Sequence, residues 1–137
     1  MSFTNFLEDA LLNHIFTDPI YSAPTNIFVG ISSTTPSEDG TGFSEEAANG
    51  YARVSTAAAD WGTVVAAEPS TKSNVNIITF PIATGDWQTQ ANFTYFGLFD
   101  LATVGELLAF GLLTVAKNVL DGDTAKFPVG DLTITLQ

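Results

Sequence analysis

The one histidine of the chain, His14, is the first candidate for acid–base chemistry. A histidine base activates a serine or threonine hydroxyl and needs a third residue to orient it. His14 instead falls between Leu11 and Ile15 on an apolar stripe, so we interpret it as a packed or interface histidine. Cysteine is absent, which excludes thiolate zinc sites, disulfides and cysteine nucleophiles. We therefore predict no catalytic residues and a protein that is not an enzyme.

Carboxylates are the remaining candidate ligands for a metal ion. Asp121-Gly122-Asp123 has the spacing that begins a calcium loop, but Ala125 and Phe127 stand where further ligands are needed. The same Asp-Gly pair is a common tight-turn signal, and we favour the turn. Glu38-Asp39 and Glu45-Glu46 either hold Ca²⁺ loosely or form a hydrated acidic face, which is typical of adjacent like charges. We predict no bound metal and no cofactor.

Aromatic side chains offer a third kind of site, a platform on which sugar rings stack. A carbohydrate-binding module of this kind would use Trp61, Trp87 or Tyr95. The aromatic cluster over 93–99 has strand spacing, which favours a place in the core, and carbohydrate binding is kept as an alternative. A phosphate-binding loop is excluded, because Gly40-Thr41-Gly42 lacks the lysine and the helix that such a loop requires.

These candidates belong to a chain of 137 residues with a strong negative charge. It has 15 Asp and Glu against 4 Lys and Arg, a net charge of −11, yet 45% of its residues are hydrophobic. The hydrophobic fraction excludes an acidic disordered chain, and the length suits one domain over 1–137. Because the four cations are scattered, the charge excludes nucleic acid as a partner and disfavours anionic membranes.

The N-terminal segment 1–18 has the apolar spacing of one amphipathic helix. Ser2 or Thr4 is placed to cap its start, and Asp18-Pro19 ends it, since the residue before proline avoids the helical region. The apolar stripe either closes one end of the β body as core or packs against a symmetry mate. The stripe consists of Phe3, Phe6, Leu7, Ala10, Leu11, His14 and Ile15. The interface hypothesis assigns the contacts to Phe3, Phe6, Leu7, Leu11 and His14.

The rest of the chain, 26–137, has the pattern of short strands separated by turns. We predict a mainly β fold, an antiparallel β-sandwich or barrel that is jelly-roll-like, with the helix at its N-terminus. The strand over 92–99 is apolar on both faces, which predicts a central position and a hairpin with the strand over 107–113. A second hairpin or a strand pair is expected around Asp121-Gly122-Asp123. The other predicted strands are 27–31, 51–55, 75–81 and 131–136.

Three further expectations concern segments with less regular patterns. The polar stretch 32–50 is predicted to be a long exposed loop, and loops of that length are usually functional or mobile. The alanine-rich segment 57–67 is compatible with a strand or a short helix. In the last strand, the alternation places Leu132, Ile134 and Leu136 inward, with Thr133 and Thr135 outward.

Taken in order, a set of short motifs resembles small virion proteins of tailed bacteriophages, commonly labelled tail fibre or tail proteins. The similarity begins over 12–30, where the helix end runs into Ile27-Phe28-Val29-Gly30. It departs from the family over 88–93, where a shorter link is expected. The other matching motifs are Asp39-Gly40-Thr41-Gly42, Gly50-Tyr51-Ala52-Arg53-Val54, Ile78-Thr79-Phe80-Pro81, Ala83-Thr84-Gly85-Asp86-Trp87, Tyr95-Phe96-Gly97-Leu98-Phe99-Asp100, Gly105-Glu106-Leu107-Leu108, Gly122-Asp123-Thr124 and the segment 130–136.

This resemblance implies a structural part of a phage particle and supplies no catalytic residues. Because the chain is short and lacks repeats, we expect a capsid decoration (cement) protein that bridges capsid subunits. A tail, tail-fibre or baseplate component is the alternative. Decoration proteins are often trimers, so a homotrimer is expected, with the major capsid protein or other virion proteins as partners. The expected location is the virion.

Overall fold

The computed structural model describes residues 1–17 and 20–136, and of residues 89 and 90 the backbone alone. Two short 3-10 helices, Ala58–Asp60 and Trp87–Gln90, accompany the main elements. These are β1 (Ser2–Phe3), α1 (Asn5–Phe16), β2 (Ile27–Ser32), β3 (Val54–Thr56), β4 (Ser70–Ser73), β5 (Ile78–Thr79), β6 (Phe93–Phe99), β7 (Leu107–Lys117), β8 (Lys126–Phe127) and β9 (Thr133–Leu136).

All strand pairs of the described residues are antiparallel. One sheet has five strands in the order β1-β7-β6-β2-β3, and two further sheets pair β4 with β9 and β5 with β8. The fold is mainly β and sandwich-like, as predicted, and the sheets do not close into a barrel. The apolar β6 lies at the centre, paired with β2 on one side and β7 on the other, which confirms the predicted central strand and its hairpin.

The two faces of the five-stranded sheet are covered by different parts of the chain. One face carries Val29 and Ile31 opposite Leu98 and Phe96, and it packs into the buried core. That core continues through the two small sheets and the 80–93 segment, where it holds Ile78, Phe80, Ala83, Trp87, Phe93, Val119, Ala125, Phe127 and Leu132. The opposite face carries the Gly30–Gly97 pair and is covered by the 32–50 loop.

The predicted long loop at 32–50 is present, and residues 34–42 are exposed except for Pro36, but its 43–46 part lies half-buried against the sheet. The Phe43 ring lies over Gly97, so close that a Cβ added there would collide with the ring. Pro36 is buried, and the Ser32 hydroxyl accepts the Ser44 N–H at 2.8 Å. With no side chain at Gly30 and Gly97, the sheet leaves a trough that the loop fills as a third layer.

Several predicted elements are wrong in extent or partner. Asp121-Gly122 does form a turn, with the Asp123 N–H donating to the Leu120 carbonyl at 2.9 Å, but no hairpin follows. The following strand β8 pairs instead with β5, because Lys126 and Phe127 lie opposite Thr79 and Ile78. β7 extends to residue 117. The predicted strand 51–55 is displaced to β3 at 54–56, and the predicted strand 75–81 shrinks to β5. The alternation over 131–136 fails at its end, where Leu136 is 57% exposed.

The segment 57–67, for which a strand or a short helix was expected, has one short 3-10 helix and isolated bridges but no strand. It begins with the 3-10 turn Ala58–Asp60, in which the Asp60 carboxylate accepts the Ala57 N–H at 2.8 Å. It continues with isolated bridges that join Trp61 to Asn74 and Val65 to Thr71.

Candidate interface at the N-terminal helix

The anchor of the helix is Thr4, whose side chain holds the chain to β7. The Thr4 hydroxyl donates to the carbonyls of Leu107 at 2.5 Å and Leu108 at 3.1 Å, and the Thr4 side chain is fully buried. Thr4 occupies the N-cap position without making a side-chain cap, and Ser2 belongs to β1, so both predicted caps are wrong. The hydroxyl instead satisfies carbonyls of the sheet edge, which fixes where the helix starts.

The helix leaves more than half of its large apolar side chains exposed, namely Phe6, Leu12, Ile15 and Phe16, whereas Leu7 and Leu11 are half-buried. No residue of α1 is buried, which contradicts the interpretation that the stripe closes the β body as core. Exposure grows toward the C-terminal end, where Ile15 is 67% and Phe16 is 76% exposed. A 12-residue helix is marginal by itself, and the number of exposed apolar side chains makes this helix a candidate interaction surface. Two further apolar residues near the helix are also exposed: Met1 and Ile20.

The helix ends at Phe16, with Thr17 as its C-cap residue. Thr17 is extended, and both its N–H and its hydroxyl donate to the Asn13 carbonyl, at 2.9 and 3.1 Å. The predicted stop at Asp18-Pro19 lies outside the described residues. The described part of segment 1–18 therefore contains the two-residue strand β1, the anchoring Thr4 and the helix over 5–16.

The predicted interface residues do not form one uniform surface. Phe3 lies in β1 and packs partly against the core, so it is not part of the helix. Phe6 is exposed, and Leu7 and Leu11 are half-buried. His14 is exposed, and its Nδ1 accepts the Tyr21 backbone N–H at 3.1 Å. This partner is a backbone amide and not the hydroxyl that a catalytic base would activate. The role of His14 at an interface stays a prediction.

A charged cluster outside the predicted residues fastens the 32–50 loop. The Arg53 guanidinium binds both carboxylate oxygens of Glu45, with 2.6 Å from Nη2 to Oε2, and lies 3.3 Å from the centroid of the Phe99 ring. Its Nη1 also donates to the carbonyls of Leu101 and Val104, at 3.1 and 2.7 Å. We call Arg53, Glu45, Tyr51 and Phe99 the Arg53 cluster. Among the residues that the structure describes, it contains the only salt bridge.

Tyr51 completes the cluster on its buried side. Its hydroxyl donates to Glu45 Oε1 at 2.5 Å and accepts the Ile31 N–H at 3.2 Å. Burial, reinforced by the charge of Glu45, raises the pKa of Tyr51 above its usual value. Its ring packs edge-on against Trp87. Because Arg53 satisfies Glu45 and the hydroxyl is kept neutral, the cluster serves as a fastening and holds no free acid or base.

The predicted acidic sites have protein partners of their own. Glu45 and Glu46 are not a hydrated face, since Glu45 pairs with Arg53 and Glu46 Oε2 accepts the Gln88 N–H at 2.5 Å. Asp39 accepts the Thr41 N–H and hydroxyl, which lowers its pKa. Over the described ranges 1–17 and 20–136, no group of three or more His, Asp or Glu residues is placed to hold a metal ion.

The aromatic platform is not assembled either. Trp87 is fully buried and its indole N–H donates to the Asn49 carbonyl at 2.9 Å, which confirms the core interpretation for this residue. Trp61 is half-buried, and Tyr95 lies on the opposite face of the sheet from Leu98, bonded to the Thr35 hydroxyl at 3.3 Å. The three residues therefore do not share a surface.

One family of known proteins matches nearly the whole length of the chain. The family model of Podophage GP4 fiber I protein gp80 matches residues 2–135. No curated protein sequence matches the chain. Within the described part of the chain, no helix has both the length and the apolarity to cross a bilayer.

Proposed function

The chain belongs to the Podophage GP4 fiber I protein gp80 family, and we propose that it is a non-enzymatic structural component of a phage tail fibre. The family match over residues 2–135 is the observation that carries this proposal. The match supports the tail-fibre alternative of the sequence analysis better than the capsid decoration protein that was preferred there. A protein of the phage tail-fibre type is a virion component, and the tail is the location proposed.

The exposed helix is the part of the chain that would make the attachment. Its C-terminal half, Leu11 to Phe16, carries no carboxylate and no lysine or arginine. In a chain with a net charge of −11, such a segment is where another acidic protein can approach without strong repulsion. We propose that copies assemble as a homotrimer through α1, and that the assembly joins other virion proteins.

Imaging of phage particles tests the location directly. A tagged chain, or an antibody fragment against it, should add density at the tail fibres. Density confined to the capsid shell would contradict the proposal and favour decoration. Incorporation of an Ile15→Asp variant into particles should fall, whereas Ile82→Asp, at an exposed apolar position outside the helix, should incorporate normally.

Light scattering on the purified chain tests the oligomeric state. The mass should correspond to three chains, and Ile15→Asp should lower it toward one chain. A wild-type protein that stays monomeric at high concentration would contradict the trimer.

A further inference from the structure

A small apolar cleft opens between the five-stranded sheet and the β4–β9 sheet. Its volume is ≈ 210 Å³, and we call it the Lys72 cleft. Apolar cavities of about 150 Å³ admit benzene, so this cleft has room for one phenyl ring. Ile27 and Leu98 line it from the large sheet, Lys72 and Ile134 from the small sheet, and Trp61 from between them.

Lys72 is the one charged residue among those that line the cleft, and because the lining is wholly apolar it contributes its methylene stem to the wall. Lys72 lies opposite Ile134 in the β4–β9 pair, and within the described residues no carboxylate forms an ion pair with it. Trp61 is already bonded through its indole N–H to the Thr56 hydroxyl at 3.0 Å, so its polar atom is not available to an occupant. A complementary occupant therefore presents one ring-sized apolar group beside negative charge.

The C-terminal end of α1 has this combination of properties. Phe16 is 76% exposed there, and the end of a helix carries about half a negative charge from its aligned peptide dipoles. A helix of 12 residues is about 18 Å long, so Phe16 stands well away from the Thr4 anchor. The helix packs against β7, whereas the cleft is formed on β2, β6 and the β4–β9 sheet. One chain thus offers an apolar projection and a matching cleft at different places.

We propose that Phe16 of one copy inserts into the Lys72 cleft of the next, with the Lys72 ammonium against the C-terminal end of that helix. This contact rests on the proposed function and specifies how its copies join. The two surfaces differ, so the contact is heterologous: it closes into a ring where the rotation permits and otherwise propagates as a filament.

Single substitutions with matched controls test each side of the contact. Phe16→Ala should weaken association in sedimentation experiments by about 30-fold or more, the effect of losing a buried aromatic anchor. Ile82→Ala, which removes another exposed apolar side chain, should leave it unchanged. Lys72→Glu should weaken association, and Lys126→Glu, at an exposed lysine outside the cleft, should not. If the Phe16→Ala variant associated as strongly as the wild-type protein, the proposal would be overturned.

Mixing two defective variants distinguishes this contact from symmetric packing of helix on helix. Ile134→Trp fills the cleft and keeps Phe16, whereas Phe16→Ala keeps the cleft. Mixed together, they should form a heterodimer that grows no further, because one matched pair remains. Absence of the heterodimer, while the wild type assembles, would overturn the proposal. If Ile134→Trp does not fold, Lys72→Glu is mixed with Phe16→Ala in its place. The mixture should then contain more dimer than either variant forms alone.

The failure of this contact is distinguishable from the failure of the proposed function. A wild-type chain that remains monomeric at every concentration overturns the contact. The tail location is then still decided by imaging of particles, which does not depend on how the copies touch.

Discussion

Replacing Arg53 by methionine should destabilise the protein strongly, because one side chain fastens three separate segments. Methionine keeps the length and packing of the stem and removes the guanidinium. The change leaves Glu45 without its ion pair, Phe99 without the cation on its face, and the carbonyls of Leu101 and Val104 without their donor.

The size of the loss follows from how deeply the pair is buried. Breaking a fully buried ion pair by removing one partner costs about 3–5 kcal/mol. The side chains of Arg53 and Glu45 are 9% and 19% exposed, and Tyr51 still donates to Glu45, so the lower end applies. The cation on the ring contributes about 1 kcal/mol in such a setting. We expect a loss of about 3–4 kcal/mol in the free energy of unfolding, which lowers Tm by roughly 10 °C or more for a domain of this size.

Urea unfolding followed by tryptophan fluorescence measures this loss, with Lys126→Met as the control at an exposed cation. Glu45→Gln should cost about 2 kcal/mol alone and add little to Arg53→Met, since both remove the same pair. Arg53→Lys should recover only part of the stability, because lysine cannot bind the carboxylate through two nitrogens. A loss below about 1 kcal/mol in Arg53→Met, or full additivity with Glu45→Gln, would refute the reasoning.

Three further outcomes are expected. Gly97→Ala should lose about 1–3 kcal/mol in urea unfolding, because the new Cβ meets the Phe43 ring; no loss would mean that the loop does not cover the sheet. Asn74→Ala should lose about 2–4 kcal/mol, as its amide is buried and bonded to Asn76, Pro128 and Leu132. The raised pKa of Tyr51 means that neutral tyrosine stabilises the fold, so stability should fall above pH of about 10, by up to about 1.4 kcal/mol per pH unit. Tyr51→Phe should remove that fall, whereas Tyr21→Phe should retain most of it.

The elements that could be predicted from the sequence are those whose residues show a regular pattern of apolar and polar side chains along a short segment. β6 was predicted to within one residue, because every position from Phe93 to Phe99 except Thr94 and Gly97 is aromatic or aliphatic. The helix was predicted from its apolar spacing, but periodicity does not tell whether a stripe faces a core or solvent. The two-residue strand β8 was paired wrongly, since its partner β5 lies almost fifty residues earlier and has only two residues itself.

The charged contacts were missed for a different reason. Glu45 and Arg53 are eight residues apart in a segment without periodicity, and Glu45 was interpreted through its neighbour Glu46 as part of a hydrated face. Only the closure of the loop over the Gly30–Gly97 trough brings Arg53 against Glu45 and Phe99. The Lys72 cleft depends in the same way on the meeting of two sheets, so no local motif predicts it.

The bond between Thr4 and Leu107 joins residues 103 positions apart, and this separation orders events during synthesis. Because translation runs from the N-terminal to the C-terminal end, α1 leaves the ribosome before its docking site on β7 has been made. Until then α1 has no fixed position relative to the sheets, and a 12-residue helix is scarcely stable alone. The helix therefore reaches its final orientation only after β7 has been made, which delays contact between copies until the sheet has formed.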